Sequence, residues 1–286
     1  MTFSEFYVIL TITFSLLQIA SLVNTQMKLF DAYIFDLDGT VFLGDALLPT
    51  AGETLATLRD QGRRTVFLSN NPTRTRATYV AKLNRLGVPV TADDIIHSSL
   101  VMANFLQRRM PGARLFVVGE EPLKTELQAA GFVLSEEPGK IDAVIASFDR
   151  TFVYRKLQIA FDAIRAGARF FATNGDRYCP VPGGGEPDAA AMIAAIEACT
   201  NTKVEAVVGK PSIYTIEAIL DRLGLPVDRC IMTGDRLETD VQMALNAGMA
   251  GALVLTGATD AKALAASTIK PTYVLRQLAD LLPAER

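Results

Sequence analysis

The sequence predicts an α/β fold built on parallel sheets, and three observations lead to this prediction. Short runs rich in β-branched and aromatic residues alternate with stretches of helical spacing. The chain is 50% hydrophobic and 21% charged, as in proteins with a packed core. Polar residues directly follow four of the predicted strands. Strand–helix alternation joins parallel strands through right-handed crossovers, so we expect parallel sheets.

The predicted elements follow one another from Met27 onward. Gly62 and Gly87 end the first two predicted helices. The predicted strands are Ala32–Phe35, Thr65–Leu68, Leu115–Val118, Ala143–Ser147, Phe170–Ala172, Val204–Val208, Cys230–Thr233 and Ala252–Leu255. The predicted helices are Ala51–Gln61, Arg74–Leu86, Leu123–Ala130, Tyr154–Ala166, Ala189–Ala198, Ile213–Leu223 and Asp240–Ala247. The triple glycine 183–185 lacks a following Lys-Ser or Lys-Thr, which indicates a flexible loop and not a phosphate cradle.

The spacing of the polar clusters predicts an inserted domain. Asp38 and Ser69 are separated by 30 residues, which one βαβ crossover fills. Asn71 and Lys210 are separated by 138 residues, which is enough for an independent α/β domain. The predicted boundaries are 27–97 for the first part of the core, 98–202 for the inserted domain and 203–286 for the second part of the core.

Residues 1–26 form an apolar extension. The 18 residues from Phe6 to Val23 carry no charge, which is just long enough for a membrane helix. Ser, Thr and Gln residues make this run less hydrophobic. The only charged residue before it is Glu5, whereas a secretory signal begins with basic residues. Met27 begins the segment MKLFDAYIFDLDGT, which is a natural start for a soluble α/β domain. We therefore favour an upstream extension that is not made in the cell, with a signal or anchor and a packed helix as the alternatives.

Composition excludes several functional classes. Lys and Arg total 28 against 31 Asp and Glu, and no basic run occurs, so we expect no nucleic-acid partner and no membrane partner. Cys179, Cys199 and Cys230 form no CxxC pair, which indicates free thiols in a reducing compartment such as the cytoplasm. His97 is the only histidine, which rules out a His-rich zinc site, and we expect it to be structural. The oligomeric state is left open, with a homodimer as one option.

Four polar clusters follow predicted strands, at the sheet edge where open parallel sheets bind ligands. The clusters contain, in chain order, Asp36 with Asp38, then Ser69 with Asn70 and Asn71, then Gly209 with Lys210, and finally Asp235 with Asp240. If Asp36, Asp38 and Asp235 came together, their carboxylates would take up protons unless a cation lay among them. Oxygen-only ligation favours Mg²⁺, which accepts phosphate oxygens as further ligands. Hydroxyl, backbone N–H and lysine groups suit a phosphate, so the pattern predicts a phosphoryl site beside magnesium.

The motifs DLDGTVF (36–42), FLSNN (67–71), VVGKPS (207–212) and MTGDRLETD (232–240) resemble, in this order, the four motifs of the haloacid dehalogenase superfamily. The long insertion resembles the α/β cap of the NagD-like branch, which ATNGDRYCP at 172–180 also fits. The resemblance runs from Met27 to near the C-terminus. It implies a Rossmann-like parallel-sheet core with an inserted α/β cap domain, and a phosphoric monoester hydrolase.

The resemblance also implies roles for single residues. Asp36 matches the nucleophile, which is also a metal ligand. Asp38 matches the general acid and base, whose backbone carbonyl would also bind the metal. Lys210 matches the lysine that neutralises charge. The remaining matches are Gly39, Ser69 and Asn70 for the phosphoryl group, Asp235 for the Mg²⁺ ligand, and Asp240 for a ligand or a residue that orients one. Apart from the resemblance, the position of Asp240 before MALNAG also allows a helix cap.

Substrate choice falls to the cap in this family. The resemblance points to two cap loops that contain Phe148, Asp149, Arg150, Asn174, Asp176, Arg177 and Tyr178. Arg150 or Arg177 could pair with an acidic leaving group or be a solvated surface residue. The stretch GGGEPDAAAMIAAIE is similar to the arabinose-operon sugar phosphatases, which implies sugar phosphates as substrates. The alternatives are a phosphatase for phosphoglycolate or a nucleotide monophosphate, and a non-catalytic regulator that binds a phosphometabolite.

Overall fold

The computed structural model describes residues 27–181 and 183–283. Contacts divide these residues into two compact units. The first comprises residues 27–67, Leu86–Val88 and 223–283, and the second comprises Leu68–Arg85 and Pro89–Arg222. The extension predicted for residues 1–26 lies outside the described residues. Within the described ranges, no helix is both long and apolar enough to cross a membrane.

The elements alternate along the chain as the sequence predicts. The described strands are β1 (Ala32–Asp36), β2 (Phe42–Leu43), β3 (Ala46–Leu47), β4 (Arg64–Ser69), β5 (Ile95–His97), β6 (Arg114–Val118), β7 (Val133–Leu134), β8 (Ala143–Ala146), β9 (Arg169–Ala172), β10 (Tyr178–Val181), β11 (Gly184–Pro187), β12 (Ala206–Val207), β13 (Cys230–Gly234), β14 (Ala250–Val254) and β15 (Tyr273–Leu275). The described α-helices are α1 (Ala51–Asp60), α2 (Arg76–Arg85), α3 (Ser98–Arg109), α4 (Glu121–Ala129), α5 (Tyr154–Arg165), α6 (Ala189–Thr200), α7 (Ile213–Leu223), α8 (Gln242–Asn246) and α9 (Ala261–Ala266).

In the first unit, strands β15, β14, β13 and β1 lie side by side in this order, each neighbouring pair is parallel, and β4 lies next to β1. Every residue of β1 is buried, and the Phe35 ring lies 6.3 Å from Tyr33 and 6.1 Å from Phe67. A strand that is buried on both faces has a continuous run of apolar residues, as AYIF in β1 shows. Phe35 pairs with Thr233, so β1 and β13 end side by side.

The second unit has its own parallel sheet, in the order β12-β9-β8-β6-β7. All of β8 is buried, and Val144 and Phe170 share one apolar cluster with Ala160 of α5 and Ile196 of α6. The antiparallel hairpin of β10 and β11 stands apart from this sheet in the pairing pattern, with Tyr178 opposite Pro187. The second unit therefore has its own core.

The prediction of an α/β fold with parallel sheets is confirmed. The strands of the five-stranded sheet lie between β5 and β13 along the chain. The boundaries 27–97, 98–202 and 203–286 stay a prediction. Cys179, Cys199 and Cys230 are free thiols, as expected.

The structure contains elements that the sequence analysis did not predict, among them α3, α9, β5, β7 and β15. Helix α3 was not predicted, because seven of its 12 residues are buried and no clear polar face marks the helical period. The loop predicted for 183–185 is wrong in part, since β11 begins at Gly184 and Gly185 pairs with Pro180. Backbone pairing needs no side chain, so glycines in a hairpin leave no strand pattern in the sequence.

Candidate active site

Three aspartates of the first unit meet at the ends of β1 and β13. Asp36 is the last residue of β1, Asp235 directly follows β13, and Asp240 lies in the π-helical turn Leu237–Val241. One carboxylate oxygen from each lies within 4.8 Å of the other two, and all three residues are buried. Parallel pairing of β1 with β13 brings the two strand ends together. The structure thus joins three of the four predicted metal ligands.

Asp240 is held by the turn that follows β13. It is fully buried, and its Oδ2 accepts a hydrogen bond from the Arg236 amide at 3.1 Å. A Cβ at Gly234 would collide with the Asp240 carboxyl group, so only glycine leaves room for it. The helix-cap alternative is wrong for α8, because that helix begins at Gln242 and is capped by Val241.

A loop after β14 completes the surroundings of Asp235. The Ala258 amide donates to Asp235 Oδ2 at 2.6 Å, and the Thr256 hydroxyl donates to the Gly39 carbonyl at 2.7 Å. A Cβ at Gly257 would collide with the Asp235 carboxyl group. Sequence reasoning missed this loop, although TGATD follows an apolar strand just as the four recognised clusters do. The loop fixes Asp235 and the DLDGT turn relative to each other.

The acidic cluster suits a divalent cation. Three buried carboxylates at this separation repel one another as anions unless positive charge lies among them. All three donors are oxygen, and within the described residues no His or Cys joins the cluster. Such a donor set matches the preference of Mg²⁺, Ca²⁺ or Mn²⁺. The residues present therefore fit a divalent metal ion.

Asp38 lies in the turn after β1 and is exposed, unlike the three clustered aspartates. The Gly39 amide donates to the Phe42 carbonyl at 2.8 Å and so closes the turn. The φ of Gly39 is +89°, in the left-handed region that favours glycine. The turn therefore presents the Asp38 side chain to solvent at the same end of β1.

In the second unit, Asn70 and Lys210 come together. Lys210 is 5% exposed, and its backbone amide donates to Asn70 Oδ1 at 2.9 Å. The neighbouring Ser69 hydroxyl forms a hydrogen bond with the Tyr79 hydroxyl at 2.8 Å and accepts from the Asn71 amide at 3.2 Å. Sequence reasoning missed Tyr79, whose only signal is its place on the apolar face of α2.

The first predicted cap loop is engaged in contacts within the protein. Phe148 is buried, with the Arg150 guanidinium 5.5 Å from its ring centroid. Asp149 accepts from Lys156 Nζ at 2.6 Å. Arg150 binds both carboxylate oxygens of Glu120, at 2.7 and 2.8 Å, and its side-chain hydrogen bond lowers the pKa of that carboxyl group.

Arg150 also lies 3.7 Å from Glu186. With two acidic neighbours, this guanidinium is already neutralised. Arg177, the other arginine considered for an acidic leaving group, is exposed like Arg150.

The second predicted cap loop divides into a buried and an exposed half. Asn174 is fully buried, and Asp176 is half-buried. Asp176 Oδ2 accepts hydrogen bonds from Asn70 Nδ2 at 2.7 Å and from Asn174 Nδ2 at 3.1 Å. Arg177 and Tyr178 are exposed, Tyr178 to 58%. This contact links the cap loop to Asn70 within the second unit.

His97 is fully buried at the start of α3, where its Nδ1 accepts from the Leu100 amide at 3.2 Å and caps the helix. Its Nε2 lies 3.9 Å from Glu126, which binds Arg76 at 3.0 Å. Burial, and next the charge of Arg76, lower the pKa of His97 to about 4. His97 is therefore neutral at neutral pH and serves as a helix cap, in line with a structural role.

Comparison with known proteins identifies the family. The family model described as haloacid dehalogenase-like hydrolase matches residues 33–133, and a related hydrolase-like model of the same superfamily matches residues 207–281. The chain is 41% identical to the sugar-phosphatase AraL of Bacillus subtilis (strain 168), over 87% of this chain and 90% of that protein.

Two solved structures show the same relationship. A 4-nitrophenylphosphatase from Thermotoga maritima has a TM-score of 0.85 and 38% identity, and the match covers 88% of this chain and 96% of the other. NagD from E. coli K-12 has a TM-score of 0.81 and 30% identity, with 88% and 98% covered. The chain belongs to the haloacid dehalogenase-like hydrolases, in the NagD-like branch.

Proposed function

We propose that this chain is a Mg²⁺-dependent phosphomonoesterase that hydrolyses small phosphometabolites, with sugar phosphates as the main class. The observation that carries the proposal is the convergence of Asp36, Asp235 and Asp240 within 4.8 Å at the strand ends. Membership of a hydrolase family whose similar members are named as phosphatases supports the same activity.

Asp36 and Asp38 divide the chemistry between them. One Asp36 carboxylate oxygen attacks phosphorus, and the bond from phosphorus to the leaving oxygen breaks while Asp38 protonates that oxygen. The ionised Asp38 then takes a proton from water. The water oxygen attacks phosphorus, the bond from phosphorus to Asp36 breaks, and inorganic phosphate is released. Asp36 lies in the buried acidic cluster, where a bound cation would keep its carboxylate ionised. Asp38 is exposed and therefore accessible to a leaving group.

Lys210, Ser69 and Asn70 bind the phosphoryl oxygens in this proposal, together with backbone N–H groups around Gly39. A lysine that is 5% exposed supports this role, because its charge is weakly screened by water. Asp36, Asp235 and Asp240 would hold the Mg²⁺ through carboxylate oxygens, and Asp38 through its backbone carbonyl. When bound, the ion supplies positive charge that offsets the charge of the nucleophile and the phosphate.

Sugar phosphates are proposed as substrates because the 41% identical relative is named as a sugar phosphatase. Within the cap, Arg177 and Tyr178 are exposed members of the predicted set and are the proposed contacts to the leaving group. The exposed Arg177 also suits a carboxylate or a second phosphate. A phosphatase for phosphoglycolate or a nucleotide monophosphate is therefore the second candidate.

A phosphometabolite-binding regulator would need neither a nucleophile nor a general acid. The presence of Asp36, Asp38 and Lys210 together argues against it. The three free thiols support a reducing compartment, and we place the reaction in the cytoplasm.

The test is hydrolysis of p-nitrophenyl phosphate by the full chain, first with excess EDTA and then with Mg²⁺ restored. We expect turnover with Mg²⁺ and none with EDTA. A panel of sugar phosphates, phosphoglycolate and nucleoside monophosphates then ranks the substrates by kcat/KM. Binding of a phosphate ester without turnover under any condition would favour the regulator, and a higher kcat/KM for phosphoglycolate or a nucleotide would favour the second candidate.

A further inference from the structure

Both ends of the Asn70 carboxamide are used, and they point in different directions. Asn70 Oδ1 accepts from the Lys210 amide at 2.9 Å. Asn70 Nδ2 donates to Asp176 Oδ2 at 2.7 Å and, at the longer distance of 3.4 Å, to the Lys210 carbonyl. The side chain therefore joins the backbone of Lys210 to a carboxylate of the second cap loop.

The orientation of this carboxamide depends on Asp176. A carboxamide rotated by half a turn would place its NH₂ group against the Lys210 amide, donor against donor. An ionised carboxylate only accepts hydrogen bonds, so Asp176 requires the NH₂ group of Asn70 on its own side. The oxygen of Asn70 is thereby kept on the side of Lys210.

Asp176 is held in place by a hydrogen-bond network with Asn174 and Asp188. Its Oδ2 also accepts from Asn174 Nδ2 at 3.1 Å, and Asn174 Nδ2 donates further to Asp188 Oδ1 at 3.0 Å. Asp188 Oδ1 accepts from the Ala189 amide at 2.5 Å and caps α6. Asn174 and Asp188 are 0% and 4% exposed. A buried network thus holds Asp176 against the start of a helix of 12 residues.

We propose that Asp176 is a positioning residue for Asn70 and Lys210. It is then not a contact to the leaving group, which is the role that the family resemblance implied. The proposal rests on the proposed function for the roles of Asn70 and Lys210. The Asp176 carboxylate fixes the Asn70 carboxamide, which in turn fixes the backbone from which the Lys210 side chain extends. A charged group that must meet a phosphate is most effective when its position is set before the substrate binds.

The proposal predicts how variants at position 176 behave in two independent measurements. Asp176→Ala removes the acceptor, and Asp176→Asn keeps one oxygen that can rotate toward Asn70. We expect Asp176→Ala to lower kcat by roughly 10- to 100-fold for p-nitrophenyl phosphate and sugar phosphates alike. Asp176→Asn should recover a large part of this loss. A contact to the leaving group would instead change KM for particular sugar phosphates and leave p-nitrophenyl phosphate unaffected.

The second measurement is hydrogen exchange of the Lys210 amide by NMR in the full chain. We expect Asp176→Ala to accelerate this exchange by about tenfold, the effect of weakening one hydrogen bond. The Val208 amide, which donates to the Ala172 carbonyl at 3.0 Å, is the internal control and should not change. This measurement needs no turnover, so it decides the positioning role even if the wild-type chain hydrolyses no ester.

Unchanged exchange at Lys210 in Asp176→Ala would overturn the proposal, as would a kinetic loss confined to some leaving groups. Asp176→Ser, whose hydroxyl is too short to reach Asn70, takes the place of the alanine variant if that variant does not fold.

Discussion

Asp235 Oδ2 lies only 2.6 Å from the point where a Cβ on Gly39 would stand. The DLDGT turn and the strand-end aspartate of β13 are thus packed in direct contact, with the Gly39 carbonyl held by Thr256 at 2.7 Å. Glycine at position 39 is required twice over, since its φ of +89° also disfavours any side chain.

We predict that Gly39→Ala displaces the Asp235 carboxyl group and weakens Mg²⁺ binding. A displacement of about 1 Å near a reacting centre can cost roughly 100-fold in rate. Calorimetric Mg²⁺ binding and kcat report the change. The matched control is Gly44→Ala, because Gly44 also has a positive φ of 55° but has no atom near its would-be Cβ. Equal effects of the two substitutions on Mg²⁺ binding would show that backbone strain, and not the collision with Asp235, is responsible.

Asp38→Asn should reduce the rate of phosphorylation by an amount that depends on the leaving group of the ester. Sugar alkoxides need a proton on departure far more than p-nitrophenolate does, so we expect the variant to slow attack on sugar phosphates most. Loss of general acid catalysis typically costs about 10²–10⁴-fold. The measurement is pre-steady-state phosphorylation with both kinds of ester. Dephosphorylation is resolved separately, because Asp38 acts there as the base for either substrate.

Asp235→Asn is the contrast to Asp38→Asn. It should weaken Mg²⁺ binding and slow both kinds of ester alike, since the metal offsets charge whatever the leaving group. If Asp38→Asn also slowed phosphorylation equally for both esters, Asp38 would not be the general acid.

The stability of the protein should depend on pH through His97. Its pKa falls from an ordinary value near 6.5 to about 4, so between these values the unfolded chain binds a proton that the folded chain does not. Its contribution is therefore complete above pH 6.5 and is lost as the pH falls toward 4. His97→Asn keeps an acceptor for the Leu100 amide but does not titrate.

Between pH 7 and 4, the free energy of unfolding of the wild type should fall by about 3 kcal/mol more than that of His97→Asn. Urea unfolding of both proteins across this range makes the comparison. Parallel curves would show that His97 does not control the acid sensitivity.

The strand ends could be predicted from the sequence because they follow local rules. Asp36 and Asp235 each come after an apolar run, and the carboxyl ends of parallel strands share one edge of a sheet. The resemblance to known motifs added the roles. Asp240 was also found this way, although the π-helical turn that buries it has no sequence signal that we used.

The contacts of the cap could not be predicted, because they join positions far apart in the chain. Asn70 and Asp176 are 106 positions apart, and nothing in either loop indicates the partner. The same holds for Arg150, which looked available for substrate until Glu120 was found 30 positions before it. Side-chain pairing of this kind depends on the packed tertiary structure and leaves no periodic pattern.

The most direct test of the account is to trap phosphate on Asp36. Rapid quench of the full chain with radiolabelled substrate, followed by peptide mapping, should place the label on Asp36 during turnover. Asp36→Asn should carry no label and lose nearly all turnover while keeping the fold, whereas Asp60→Asn, the same change at an exposed position of α1, should behave as the wild type. Label on a serine, or no label during active turnover, would show that Asp36 is not the nucleophile.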